Sequence, residues 1–107
     1  ARTVYFDFDS YIVKPEFEGL LQKNAAFIKA DKNRQVKLEG HADLRGTREY
    51  NLALGQKRAD AVKQALSLLG VPESQMEAIS FGKEKPVAED MSEEAQAKNR
   101  RVELAYP

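Results

Sequence analysis

The sequence predicts an α+β fold, a single mixed sheet with helices packed on one of its faces. Three observations carry this. Apolar residues recur at period two in four short segments and at helical spacing in two longer ones, and the two kinds of segment alternate along the chain. The strand-like segments also alternate apolar with polar residues instead of running apolar throughout, which leaves one sheet face to solvent.

The elements follow in order. In Val4-Tyr5-Phe6-Asp7-Phe8-Asp9, Val4, Phe6 and Phe8 take one face and Tyr5, Asp7 and Asp9 the other, as in a half-buried strand. Lys14-Pro15-Glu16 opens a helix, with proline in the first turn and an acid at the positive end of the dipole. Phe17, Leu20, Leu21, Asn24, Phe27 and Ile28 form its stripe, and it ends near Asp31. A second strand spans Gln35 to Ala42, where Val36, Leu38, Gly40 and Ala42 alternate with Lys37, Glu39 and His41. Thr47 or Asn51 caps the next helix. That helix carries Leu54, Ala59, Val62, Ala65, Leu66 and Leu69 and stops at Gly70-Val71-Pro72. A third strand covers Glu77 to Phe81, and Gly82 to Asp90 is a loop. Ser92 caps a short helix through Gln96, and a last strand runs from Arg100 to Tyr106. The order is β-α-β-α-β-(short α)-β, and residues 1–107 are expected to form one domain.

Composition narrows the function classes. Lys plus Arg and Asp plus Glu both total 17, so there is none of the basic excess of a nucleic-acid binder. With no cysteine, thiol catalysis, disulfides and thiolate metal sites are excluded within the chain. No apolar run approaches the roughly 18 residues of a spanning helix. The opening residues Ala1 to Asp7 alternate and do not form a signal-peptide core.

Polar residues are densest from Gly40 to Asn51, between the second strand and second helix, where open α/β sheets tend to bind ligands. Asp43 offers an acceptor for an ammonium group, and Arg58 offers a bidentate fork for a carboxylate. Together they suit a zwitterion; the alternative is an Asp43–Arg58 ion pair that only orders the loop. Asp7, Asp9 and Asp43 lack the fixed spacing of a cation loop and are read as solvated acids, with no metal expected. His41, the single histidine, has no second ligand or nucleophile in a recognisable arrangement and is read as a hydrogen-bonded structural residue. Gly82 to Pro86 lacks the upstream glycine of a phosphate loop and is read as an exposed turn. Asn99-Arg100-Arg101 is too short for a nucleic-acid patch. No catalytic centre or cofactor site assembles from these residues.

Several of these segments resemble the OmpA-like peptidoglycan-binding domain: Val4 to Asp9, Glu39-Gly40-His41-Ala42-Asp43, Arg45-Gly46-Thr47, Glu49-Tyr50-Asn51 and Leu54 to Ala59. Ser80 to Pro86 and Lys98 to Val102 continue the likeness, which covers nearly the whole chain and is nearest the lipid-anchored outer-membrane branch of the family. The resemblance implies a non-enzymatic module that binds the meso-diaminopimelate of peptidoglycan stem peptides. Asp43 falls on the family's Gly-x-x-Asp acid and Arg58 on its Arg-Ala arginine. Phe8, Asp9 and Leu54 fall on further pocket positions. It also implies TolB as a protein partner and attachment to the periplasmic side of the outer membrane by a lipid anchor outside these residues. Two positions depart from that branch: Leu44 stands where a glutamate is usual, and the stretch Val87 to Glu94 differs. The same domain also occurs in outer-membrane barrel proteins and flagellar stator subunits. A wall hydrolase using Asp7, Asp9, Asp43 or Glu39 is the enzymatic alternative. On the binding reading, alanine at position 43 or 58 is expected to abolish binding and leave the fold intact.

Overall fold

In a computed structural model that describes residues 2–107, four strands and three helices follow one another along the chain. They are β1 (Thr3–Tyr5), α1 (Glu18–Lys29), β2 (Val36–His41), α2 (Arg48–Leu68), β3 (Met76–Gly82), α3 (Glu93–Asn99) and β4 (Arg101–Ala105). Single 3-10 turns at Pro15–Phe17 and Glu73–Gln75 precede α1 and β3. Ala1, the first residue of the opening alternation, lies outside the described residues.

The sheet order is β1-β4-β2-β3. β4 runs antiparallel to β1 and to β2, while β2 and β3 are parallel. A parallel pair needs a crossover of a dozen residues or more, and the 21-residue α2 supplies it. Val4, Leu38, Val102 and Leu104 point from the sheet into a core completed by Leu21, Ala25 and Ile28 of α1 and by Ala59, Val62 and Leu66 of α2. Each large apolar side chain buried there contributes about 2 kcal/mol. Lys37 and Tyr5 lie exposed, as expected for a sheet covered on one face. No helix among the described residues is long and apolar enough to cross a membrane.

Local chemistry fixes the ends of the helices. The Thr47 side chain accepts from the Tyr50 N–H at 3.1 Å, so Thr47, and not Asn51, caps α2. Gly70 adopts φ +96° just beyond α2, the left-handed cap that glycine accommodates without a Cβ clash. Buried Gln75 donates to the carbonyls of Ile28, Asp31 and Arg34 and so collects the free end of α1.

The first segment departs from expectation. β1 stops at Tyr5, and Phe8 is 59% exposed instead of facing the core with Val4 and Phe6. After Phe6 the chain leaves the sheet and turns, with the Ser10 N–H bonded to the Asp7 carbonyl and Asp9 at φ +54°. Aspartate is among the few non-glycine residues that enter this region, at a cost of about 1 kcal/mol.

Candidate functional site

The geometry of the site starts from a contact between two glycines. A Cβ on Gly40 would stand 1.9 Å from the Gly55 carbonyl oxygen. Only bare backbone allows α2 to lie this close to β2. Arg58, one turn further along α2, is thereby delivered beneath the end of β2. Its Nη1 donates to the His41 carbonyl at 2.9 Å, Nε to Ser10 at 2.7 Å and Nη2 to Asp7 at 3.1 Å. These bonds use three of the five guanidinium N–H groups. Arg58 is wholly buried. Burial, and then the charge of Arg100, push it down to about 10, so it stays protonated at neutral pH.

Asp43 follows β2 and is 4% exposed. Its Oδ1 accepts from the Arg45 N–H at 3.1 Å, and its Oδ2 accepts from Arg45 Nη2 at 2.6 Å and Arg100 Nη1 at 3.2 Å. Burial alone would raise this carboxyl; the bonds from Arg45 and Arg100 outweigh it and hold Asp43 below its ordinary value. Its ion-pair partners are thus Arg45 and Arg100. The alternative of an Asp43–Arg58 pair is not what forms, because the Arg58 fork is turned to backbone carbonyls.

Asp43 and Arg58 still meet in one place. A pocket of about 210 Å³ is lined by both, together with Phe8, Asp9, Arg45, Gly46, Tyr50, Asn51 and Leu54. All five residues singled out in the sequence line it. Asn51, Leu54 and Arg58 share one face of α2, at the three- and four-residue spacing of a helical stripe. The exposed ring of Phe8 lies 4.4 Å from the Arg45 guanidinium, and the Tyr50 hydroxyl donates to Asp9 across the rim. Left-handed Asp9 thus closes one side of the pocket.

Sequence reasoning missed Arg45, Tyr50, Asn51 and Arg100. Asn51 was accessible from its spacing to Leu54 and Arg58. Arg100 stood out only within a short basic cluster and the family likeness, and nothing in the sequence pointed it at Asp43, which it reaches through the pairing of β4 with β2. The cluster Asn99-Arg100-Arg101 is buried and forms no surface patch. Asn99 takes the N–H groups of Val87 and Ala88, Arg100 bonds Asp43, and Arg101 donates to the Lys85 carbonyl.

Other expectations need correction. His41 is 2% exposed and stacks on Phe81, with centroids 5.5 Å apart, but neither ring nitrogen has a hydrogen-bond partner. It is buried but not hydrogen-bonded: its ring stacks on Phe81, and the charges that act on it are those of Arg101, Glu103 and Lys85. Asp7, Asp9 and Asp43 are not simply solvated acids: Asp7 pairs with Lys14, Asp9 accepts from Tyr50, and buried Asp43 pairs with its two arginines. No cluster of three metal-ligating side chains occurs among the described residues. Gly82 to Pro86 is not a free turn, because Lys83 donates to the Gly46 carbonyl at 2.6 Å and Glu84 pairs with Arg48. Leu44 lies outside the pocket lining, and its N–H donates to buried Gln96 of α3 at 2.7 Å. A fold-neutral Arg58→Ala is incompatible with a wholly buried arginine that holds three carbonyls.

Residues 5–100 match the OmpA family. The chain is 50% identical over 105 residues to a peptidoglycan-associated lipoprotein of Pasteurella multocida, covering 98% of this chain and 70% of that protein. It is 52% identical over 102 residues to the Pseudomonas putida protein of the same name, covering 95% and 61%. The crystal structure of the peptidoglycan-associated lipoprotein from Burkholderia pseudomallei superposes with a TM-score of 0.98 at 56% identity, over 100% of this chain and 91% of that one. The C-terminal domain of Helicobacter pylori MotB has a TM-score of 0.90 at 24% identity, over 100% and 84%, which shows the shared fold.

Proposed function

The chain belongs to the OmpA family, and from that premise we propose that its pocket receives the meso-diaminopimelate side chain of a peptidoglycan stem peptide. The observation that carries the reading is the pairing of opposite charges in one small cavity. Asp43 and Arg58 line the same 210 Å³ pocket, with Leu54 and Phe8 as its apolar sides. The side-chain end of diaminopimelate bears an ammonium and a carboxylate on one carbon. The ammonium bonds Asp43, and the carboxylate takes the N–H groups of Arg58 that no backbone carbonyl uses. Leu54 and Phe8 cover the methylenes.

The chemistry is binding and not turnover. A carboxylate held ionised between two arginines is a poor proton donor. In the cell the module ties the outer membrane to the wall non-covalently from the periplasmic side. The name of the relatives supports a lipid anchor, and the sequence resemblance supports TolB as a protein partner.

Calorimetric titration with a diaminopimelate stem peptide and its lysine counterpart, which lacks the side-chain carboxylate, tests the ligand. Saturable binding of the first and at least about tenfold weaker binding of the second are expected, because Arg58 loses its partner. Equal affinity for the two peptides would sink the assignment. Release of soluble fragments from purified sacculi would point to the hydrolase instead.

A further inference from the structure

Asp43 is held from behind by a residue that does not line the pocket. Arg100 stands between α3 and β4, is 5% exposed, and spreads its guanidinium over three acceptors. Nε donates to the Phe6 carbonyl at 3.0 Å, Nη1 to Asp43 Oδ2 at 3.2 Å and Nη2 to Glu93 Oε2 at 2.6 Å. Glu93, the first residue of α3, also takes Arg45 Nη2 at 3.2 Å. The same helix reaches the same loop a second time through Gln96, which accepts the Leu44 N–H.

We propose that Arg100 is the positioning residue of this pocket: anchored at Phe6 and Glu93, it fixes the Asp43 carboxylate from the side away from the ligand and ties helix α3 to binding. The inference rests on the function proposed above for its ligand, but its core, the control of Asp43, does not. A buried carboxylate that must present a lone pair in one direction needs its other lone pairs occupied, and a planar fork locked at two further points does this better than a mobile ammonium. The groups facing Asp43 are Arg45 of its own loop, Arg58 of α2, Asp9 of the first turn and Arg100, with Glu93 of α3 as counter-ion to Arg45 and Arg100. Arg100 and Glu93 therefore act on Asp43 with opposite signs.

The experiment follows the Asp43 carboxyl carbon by NMR during acid titration of the ligand-free protein, and stem-peptide affinity against pH, in R100M and E93Q. R100M removes the buried cation, so Asp43 titrates higher, binding fails at a higher pH than in the parent, and affinity at neutral pH falls about tenfold, the effect of one charge-assisted hydrogen bond. E93Q removes an exposed anion and leaves both arginines to Asp43 alone, so Asp43 titrates lower and the acid limb of binding moves down. General structural damage would not move the two variants in opposite directions. Asp43 titrations that stay at the parent value, or that shift the same way in both variants, overturn the proposal. If R100M does not fold, the direction in E93Q decides. If the parent does not bind the stem peptide, the ligand assignment fails, while the Asp43 titrations still decide the positioning role.

Discussion

Gly40 of β2 and Gly55 of α2 touch backbone to backbone, and this contact sets how deep Arg58 lies under the sheet. A methyl group at position 40 would meet the Gly55 carbonyl at 1.9 Å, an atom that α2 holds in place.

Gly40→Ala is therefore expected to cost about 3 kcal/mol or more, seen as a fall in melting temperature above about 10 °C. Gly55→Ala meets the Ser80 hydroxyl at 2.4 Å, a side chain that can turn at the loss of its bond to the Leu52 carbonyl. It only grazes the Gly40 carbonyl at 3.0 Å, while it gains helix propensity. Its loss should be clearly smaller. Equal losses would show that the Gly40 contact is not what sets the packing.

Arg58→Ala should unfold more readily than the parent by about 4 kcal/mol, because the carbonyls of Asp7, Ser10 and His41 all lose a buried donor at once. Urea denaturation checks this. Full stability in that variant would contradict the role given to the arginine. The loss also means that failed binding by Arg58→Ala says little about the ligand.

Asp43→Asn removes the charge with little change of shape. Because its amide also leaves the Arg45 and Arg100 guanidiniums without their carboxylate, binding is read only once urea denaturation shows the variant folded. Loss of the ammonium partner is expected to cost about 2 kcal/mol or more, a roughly thirtyfold weaker Kd for the diaminopimelate peptide. Calorimetry on the folded variant reads it, and unchanged affinity would remove Asp43 from the site.

His41 gives the fold an acid sensitivity. Burial, and then the charge of Arg101, lower its pKa from 6.5 to about 4. In the unfolded chain the ring takes its proton near 6.5, whereas the folded protein resists it until about 4. The folded state is thus fully favoured above 6.5, and about 3 kcal/mol is lost as pH falls through that window. His41→Phe keeps the stack on Phe81 and should flatten the stability profile between these values in thermal scans. A profile as steep as the parent's would place the sensitivity elsewhere.

Gln96 is wholly buried and joins three segments: it accepts the Leu44 N–H and donates to the Asp90 carbonyl from the middle of α3. Gln96→Leu leaves those backbone groups without partners and should cost about 2 kcal/mol. Amide exchange should quicken at Leu44 and Arg45 before the core strands respond. Unchanged protection at both residues would show that α3 does not hold the loop.

Much of this protein was legible in its sequence. Period-two and helical spacing placed the helices and the last three strands to within a few residues, since burial of one face leaves a direct imprint on the pattern, whereas the first strand is shorter than its alternation suggests. Gly70 and Ser92 marked helix ends through local backbone chemistry. Asp43 and Arg58 stood out by their chemistry, the family resemblance added Phe8, Asp9 and Leu54, and all five line one pocket. What only the tertiary structure decided involves contacts between segments far apart in the chain. Phe8 alternates like a core residue, but the chain turns at Asp7 and sends it to the pocket rim. Arg58 looked like a free fork and is anchored by carbonyls up to 51 residues away. Arg100 meets Asp43 across 57 residues because β4 pairs with β2. Hydrophobic periodicity records which face of an element is buried; it carries no record of which polar groups that burial brings together.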